Sequence, residues 1–235
     1  MISTTEDQSS TASGMDQPLQ PKSLRYDYIV IEGNIGTGKT SLATRIATEF
    51  NTRLILERFA DNPFLPKFYE QPQRYAFPLE LSFLADRYQQ LNDELKPREL
   101  FRQQTVSDYL LSKSVIFAGI TLKDDEFSLY QKLFHIINPH LPRPELLVYL
   151  HKDVHVLQEN IRKRGRDYEQ KIEDDYLKKL EQGYWEFFRQ QPDLKILVID
   201  SNSMDFVNNP EHYQQILELI NKAYEPGIHR VIPTS

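Results

Sequence analysis

Tyr28-Ile29-Val30-Ile31-Glu32-Gly33-Asn34-Ile35-Gly36-Thr37-Gly38-Lys39-Thr40-Ser41 decides the fold of this chain. Its first half is a short apolar run, read as a buried parallel strand ending at Glu32. A Gly-rich turn follows and opens into a helical pattern carrying Leu42, Ile46, Ala47 and Phe50. Gly33, Gly38, Lys39 and Thr40 satisfy G-x-x-x-x-G-K-[ST], between the strand and the helix that this motif requires. The backbone N–H groups from Gly33 through Asn34, Ile35, Gly36, Thr37 and Gly38 to Ser41 are expected to turn inward around phosphate. The helix N-terminus adds partial positive charge there. Lys39 reaches for the outer phosphates, and the Thr40 hydroxyl is placed to ligate Mg²⁺. The expectation is a nucleoside triphosphate site, with ATP as donor.

The 235 residues bound this reading to one domain of ordinary size with a substantial core. Twenty-eight Lys and Arg against 34 Asp and Glu leave a net charge of −6, so nucleic acid is not an expected partner. The absence of Cys rules out disulfides, thiolate zinc sites and a Cys nucleophile, and suits a reducing cytoplasm. No apolar run approaches the ~20 residues that span a membrane. Residues 1–24 read as a polar, disordered leader without the features of a signal peptide.

Further along, 53–57 reads as a second strand ending in an acid, and 73–95 as a long helix. A weak third strand, 105–107, leads to Asp108. A fourth strand spans 146–150, and a fifth, 195–200, ends at Asp200. Strands alternating with helices argue for a five-stranded parallel sheet covered on both faces, an α/β fold with ligands beyond the carboxyl ends of the strands. Glu32, Glu57 and Asp108 all fall at such ends. The run 196–200 looks like a metal-binding strand, but it comes last in the chain, and Asp200 reads better as a cap for the loop that follows. Nothing matches N-K-x-D, the guanine-reading element of a GTPase.

Four segments, I-E-G-N-I-G-T-G-K-T (31–40), L-E-R-F-A-D-N-P-F-L-P-K-F-Y-E (56–70), R-Y-A-F-P-L-E-L-S-F-L-A-D-R (74–87) and I-R-K-R-G-R-D-Y-E (161–169), together resemble the deoxynucleoside kinases. The resemblance runs from about residue 26 to 200 and implies a P-loop kinase domain over 25–226, with 227–235 as a C-terminal tail. It implies transfer of the γ-phosphoryl group of ATP to the 5′-hydroxyl of a deoxynucleoside in nucleotide salvage, and a homodimer. Glu57 falls where the family keeps its general base. The chemistry agrees, since a neutral hydroxyl needs a group to take its proton. By the same resemblance, Tyr69 holds the 3′-hydroxyl with Glu169 as companion, and Arg164 and Arg166 belong to an Arg-rich lid over the phosphates. Guanidinium groups there match phosphate oxygens and neutralise the charge of a loose transition state.

The family carries an Arg after the acid that follows its third strand; here Asp108, the second expected Mg²⁺ ligand, is followed by Tyr109. Arg87 or a lid residue is then needed for that role. Glu80 stands where the family has a base-reading Gln, and Lys113 where some relatives have an acid. On helical spacing Glu80 shares a face with Ala76, Phe77, Phe83, Leu84 and Arg87. Either Glu80 accepts from the paired donors of guanine, with Lys113 donating to O6 or N7, or it closes an internal ion pair with Arg87 or Lys113. The first option favours a purine, deoxyguanosine ahead of deoxyadenosine. A kinase of nucleoside monophosphates and a non-catalytic nucleotide-binding subunit are the alternative readings.

Overall fold

The computed structural model describes residues 23–58, 62–95 and 103–233. Most of the expected leader lies outside these residues. At its end, Leu24 is buried and bonds through its N–H to Gln104.

Six strands form one parallel sheet: β1 (Tyr28–Gly33), β2 (Arg53–Ile55), β3 (Thr105–Ser107), β4 (Leu146–His151), β5 (Lys195–Asp200) and β6 (Gly227–Val231). Their order is β2-β3-β1-β4-β5-β6. The expected sheet of five is therefore one strand short. The sixth comes from residues read as a tail, where Gly227-Ile228-His229-Arg230-Val231 pairs along β5. That edge strand is only half buried and carries charge, so it lacks the continuous apolar run that betrays a central strand.

Alternation along the central strands divides the core. Ile29, Ile31, Val148, Leu150, Leu197 and Ile199 face one side, against α1 (Lys39–Phe50) and the C-terminal helix (Pro210–Ile220). Tyr28, Val30, Leu147, Tyr149, Ile196 and Val198 face the other. There they meet a helical layer that includes α3 (Pro72–Leu95) and α4 (Lys113–Thr121), which follow the short α2 (Leu65–Glu70). The layer is completed by α5 (Asp124–Ile137) and by α7 (Asp174–Arg189), which comes after α6 (Val154–Arg164). The closing helix, Pro210–Ile220, is α8.

Neighbours of β1 lie on both sides of it, β3 on one and β4 on the other. This reversal of strand order opens a crevice at the carboxyl ends of the strands. The loop after β1, Glu57 after β2, Asp108 after β3 and α6 after β4 all arrive at that end of the sheet.

Candidate active site

The loop after β1 folds as its motif demands. Gly38 begins α1 with φ 93°, and a Cβ there would stand 2.9 Å from the Phe206 ring. At Gly36, φ is 88° and a Cβ would meet the Leu157 carbonyl at 2.9 Å. Gly36 through Ser41 line a cavity of 770 Å³ that extends to Lys163, Arg164, Arg166 and the loop 202–208. Asn34 instead works beneath the loop. Its Nδ2 donates to the Leu177 carbonyl on α7, and its Oδ1 takes the Ile35 N–H at 2.8 Å. Lys39 Nζ rests on the Asn34 carbonyl at 2.9 Å. Burial, reinforced by the charge of Lys113, lowers its pKa to about 8.

The expected metal ligands converge. Thr40 Oγ1 donates to Asp108 Oδ2 at 2.5 Å, and Asp108 Oδ1 accepts the Glu57 N–H at 2.8 Å. Glu57 itself is held by two cations. Arg87 donates from Nε and Nη2 to Oε1 at 2.8 and 2.6 Å, and Lys113 Nζ donates to Oε2 at 2.5 Å. Burial pushes the Glu57 carboxyl up, but Lys113 and Arg87 outweigh it and hold the group well below the usual carboxylate range. Glu32, the remaining strand-end acid, is committed to the scaffold. It accepts from Leu110 N and from Tyr184 Oη at 2.8 and 2.9 Å.

A second cavity, of 140 Å³, lies on the far side of Lys39 and Thr40. Glu57, Tyr69, Glu80, Arg87, Lys113 and Glu169 all line it, with Phe83, Phe117 and Tyr176 as apolar walls. Lys39, Thr40, Arg164 and Arg166 border both cavities. Arg164 Nη2 and Arg166 Nη1 each bond to the buried Glu169 carboxylate, the latter at 3.1 Å. The Tyr69 ring centroid is 5.9 Å from that of Tyr168. Burial, with the charge of Glu169, pushes the Tyr69 hydroxyl up to about 12.

A family model described as deoxynucleoside kinase matches residues 29–225. The chain belongs to the deoxynucleoside kinase family. It is 38% identical over 193 residues to a deoxyguanosine kinase of Bacillus subtilis (strain 168), covering 80% of this chain and 93% of that one. It is 33% identical over 209 residues to a deoxyadenosine kinase of Dictyostelium discoideum, covering 88% and 83%. Among solved structures, a deoxyadenosine kinase from M. mycoides with bound dCTP aligns with a TM-score of 0.70 at 22% identity, covering 82% of this chain and 98% of that one. The fold is that of the P-loop kinases, and the chain is an enzyme that phosphorylates deoxynucleosides.

Within this kinase every acceptor-side residue singled out in the sequence lines one cavity, but the internal ion pair weighed for Glu80 does not form. Neither Arg87 nor Lys113 bonds to it, because both go to Glu57. Glu80 Oε1 accepts from Thr121 Oγ1 at 2.9 Å, and the buried Oε2 has no partner among the described residues. Burial raises its pKa to about 7, with the charge of Arg87 opposing. Asp200 stays out of both cavities and accepts from Asn202, the capping role expected of it. Asp153 begins α6, but its carboxylate binds Asn202 rather than a helix N–H.

Residues lining both cavities were missed. Phe206 and the rest of 202–208 wall the larger cavity from an irregular loop with no periodicity to read. On the acceptor side, Phe117 follows Lys113 by four residues, a helical spacing that could have found it.

Proposed function

We propose that this kinase transfers the γ-phosphoryl group of ATP to the 5′-hydroxyl of a purine deoxynucleoside, deoxyguanosine before deoxyadenosine, in nucleotide salvage. The observation that carries the reading is the border shared by the two cavities, made of Lys39, Thr40, Arg164 and Arg166. The triphosphate belongs in the larger cavity, with its outer phosphates at Lys39, and the nucleoside in the smaller one. Glu57 takes the hydroxyl proton. Its low basicity suits a loose transition state, in which little proton transfer is needed before the phosphoryl group moves. Arg164 and Arg166 turn from Glu169 to the transferring group, and Tyr69 with Glu169 holds the 3′-hydroxyl.

Thr40 and Asp108 fit Mg²⁺. They offer hard oxygen donors side by side at the loop, and no group of three or more acids, His or Cys among the described residues could hold a metal alone. Such a partial set suits an ion that keeps waters and shares phosphate oxygens. When bound, Mg²⁺ supplies charge neutralisation to the phosphates.

The purine preference rests on Glu80. An ionised carboxylate with a free oxygen matches the adjacent N1–H and amino donors of guanine. The similarity to a deoxyguanosine kinase supports the same order. The exposed Leu81 on α3 and Leu129 and Ile136 on α5 offer apolar surface for a homodimer. No described helix is long and apolar enough to cross a membrane, and a Cys-free chain suits the cytoplasm.

The test is ADP release from ATP and Mg²⁺ against a panel of deoxynucleosides and nucleoside monophosphates, with wild type and Glu57→Gln. Purine deoxynucleosides should be turned over best. Glu57→Gln should lose about 10²–10⁴ in kcat while binding the nucleoside almost unchanged. Turnover of monophosphates alone, or of nothing, would favour the alternative readings.

A further inference from the structure

Arg87 and Lys113 reach Glu57 in different ways. Both Arg87 nitrogens land on the same oxygen, Oε1, while its Nη1 donates to Ser114 Oγ at 2.7 Å. A carboxylate held at one oxygen can still tilt about that anchor through small coupled changes in its side-chain torsions, the last of which is soft for Glu. Lys113, buried at the first turn of α4, takes the other oxygen and removes that freedom. The residue after Asp108 gives no help, since the Tyr109 hydroxyl bonds to Gln90 Oε1 at 3.0 Å. The charge of Lys113 also extends to the phosphate loop. After burial, it is the strongest influence on both Glu32 and Lys39.

We propose that Lys113 is a positioning residue for phosphoryl transfer, fixing the Glu57 carboxylate toward the acceptor hydroxyl, and not a reader of the base. This rests on Glu57 as the proton acceptor. In the step, a bond forms between the 5′-oxygen and the γ-phosphorus. The bond from that phosphorus to the β–γ bridging oxygen breaks, ADP leaves with its electron pair, and the hydroxyl proton passes to Glu57. A carboxylate free to turn would spend most of its time misdirected, a fault of the size that costs about 10²-fold.

Lys113→Met and Lys113→Arg, each in wild-type and Glu57→Gln backgrounds, test this with deoxyguanosine and deoxyadenosine. Lys113→Met should lower kcat by about 30-fold or more with nucleoside KM held within about threefold. Lys113→Arg, which keeps the buried charge and so protects the fold, should recover most of the loss. In the Glu57→Gln background Lys113→Met should cost less than about threefold, because the two act as one unit. The ratio of the two substrates should stay within about twofold. Equal losses in both backgrounds, or a changed substrate ratio at unchanged kcat, would overturn the assignment. Near-wild-type turnover by Glu57→Gln alone would instead remove the proton-acceptor reading and, with it, the basis for Lys113.

Discussion

Glu80 brings two chemistries to one position, because its carboxyl titrates near neutrality. Thr121 holds one oxygen, and around the group stand Arg87, Glu57, Lys113 and Tyr130. Ionised, it can accept from the N1–H and amino group of a guanine placed against it. Protonated, it can donate to N1 of adenine while accepting from the adenine amino group, a match that guanine lacks. With the folded pKa raised to about 7, the ionised fraction grows as pH climbs through that value. The kcat/KM ratio of deoxyguanosine to deoxyadenosine should therefore rise by about tenfold or more between about pH 6 and pH 8. Glu80→Gln should flatten this profile and move preference toward deoxyadenosine by about tenfold; a flat wild-type profile would remove Glu80 from the base site. The same shift bears on stability. A carboxyl raised by folding favours the folded state below its unfolded pKa, and that benefit is lost as pH rises from the ordinary value of 4.5 to about 7. Glu80→Gln should then melt higher than wild type above pH 7.

At the scale of elements, α1 does more than present the phosphate loop. Arg45, on the second turn of this helix, donates from Nη1 to the Phe206 carbonyl at 2.8 Å and stacks on Tyr213 of α8 with 3.8 Å to the ring centroid. Phe206 in turn abuts Gly38, so helix, loop and donor wall form one unit. Arg45→Met should raise KM for ATP several-fold, with KM for the nucleoside little changed; equal shifts in both would make Arg45 a general stabilising residue. None of this coupling was legible in the sequence, because 202–208 carries no pattern and Arg45 looks like a solvent-facing helix residue. By contrast β1, β4 and β5 were readable, since strands buried on both faces must be apolar throughout. Helix α3 was legible in extent but less so in facing. Of its leucines, Leu84 and Leu91 are buried while Leu81 is exposed, and the inner stripe carries Glu80 and Arg87. Periodicity counts apolar residues and cannot foresee charges that satisfy one another in three dimensions. For the same reason the meeting of Glu57, Arg87 and Lys113 at one cavity could be anticipated from motifs, but not which cation would take which oxygen.

For the molecule as a whole, β6 forms one edge of the sheet, and none of its residues lines either cavity. Ending the chain after Tyr224 to Pro226 would uncover the edge of β5, whose Ile196 to Ile199 are fully buried. The truncated protein should melt several degrees lower and aggregate more readily, with kcat per folded molecule unchanged. Loss of turnover in a well-folded truncation would show that the edge reaches the site after all. The contact of Arg164 and Arg166 with Glu169 has a consequence of another kind. Any ligand that draws these arginines toward the phosphate loop must first part them from that carboxylate. Where both substrates favour the parted arrangement, the first to arrive binds against the contact with Glu169, while the second finds it already opened. Thermodynamic reciprocity then fixes the size of the help that each substrate gives the other as one and the same factor, whichever binds first.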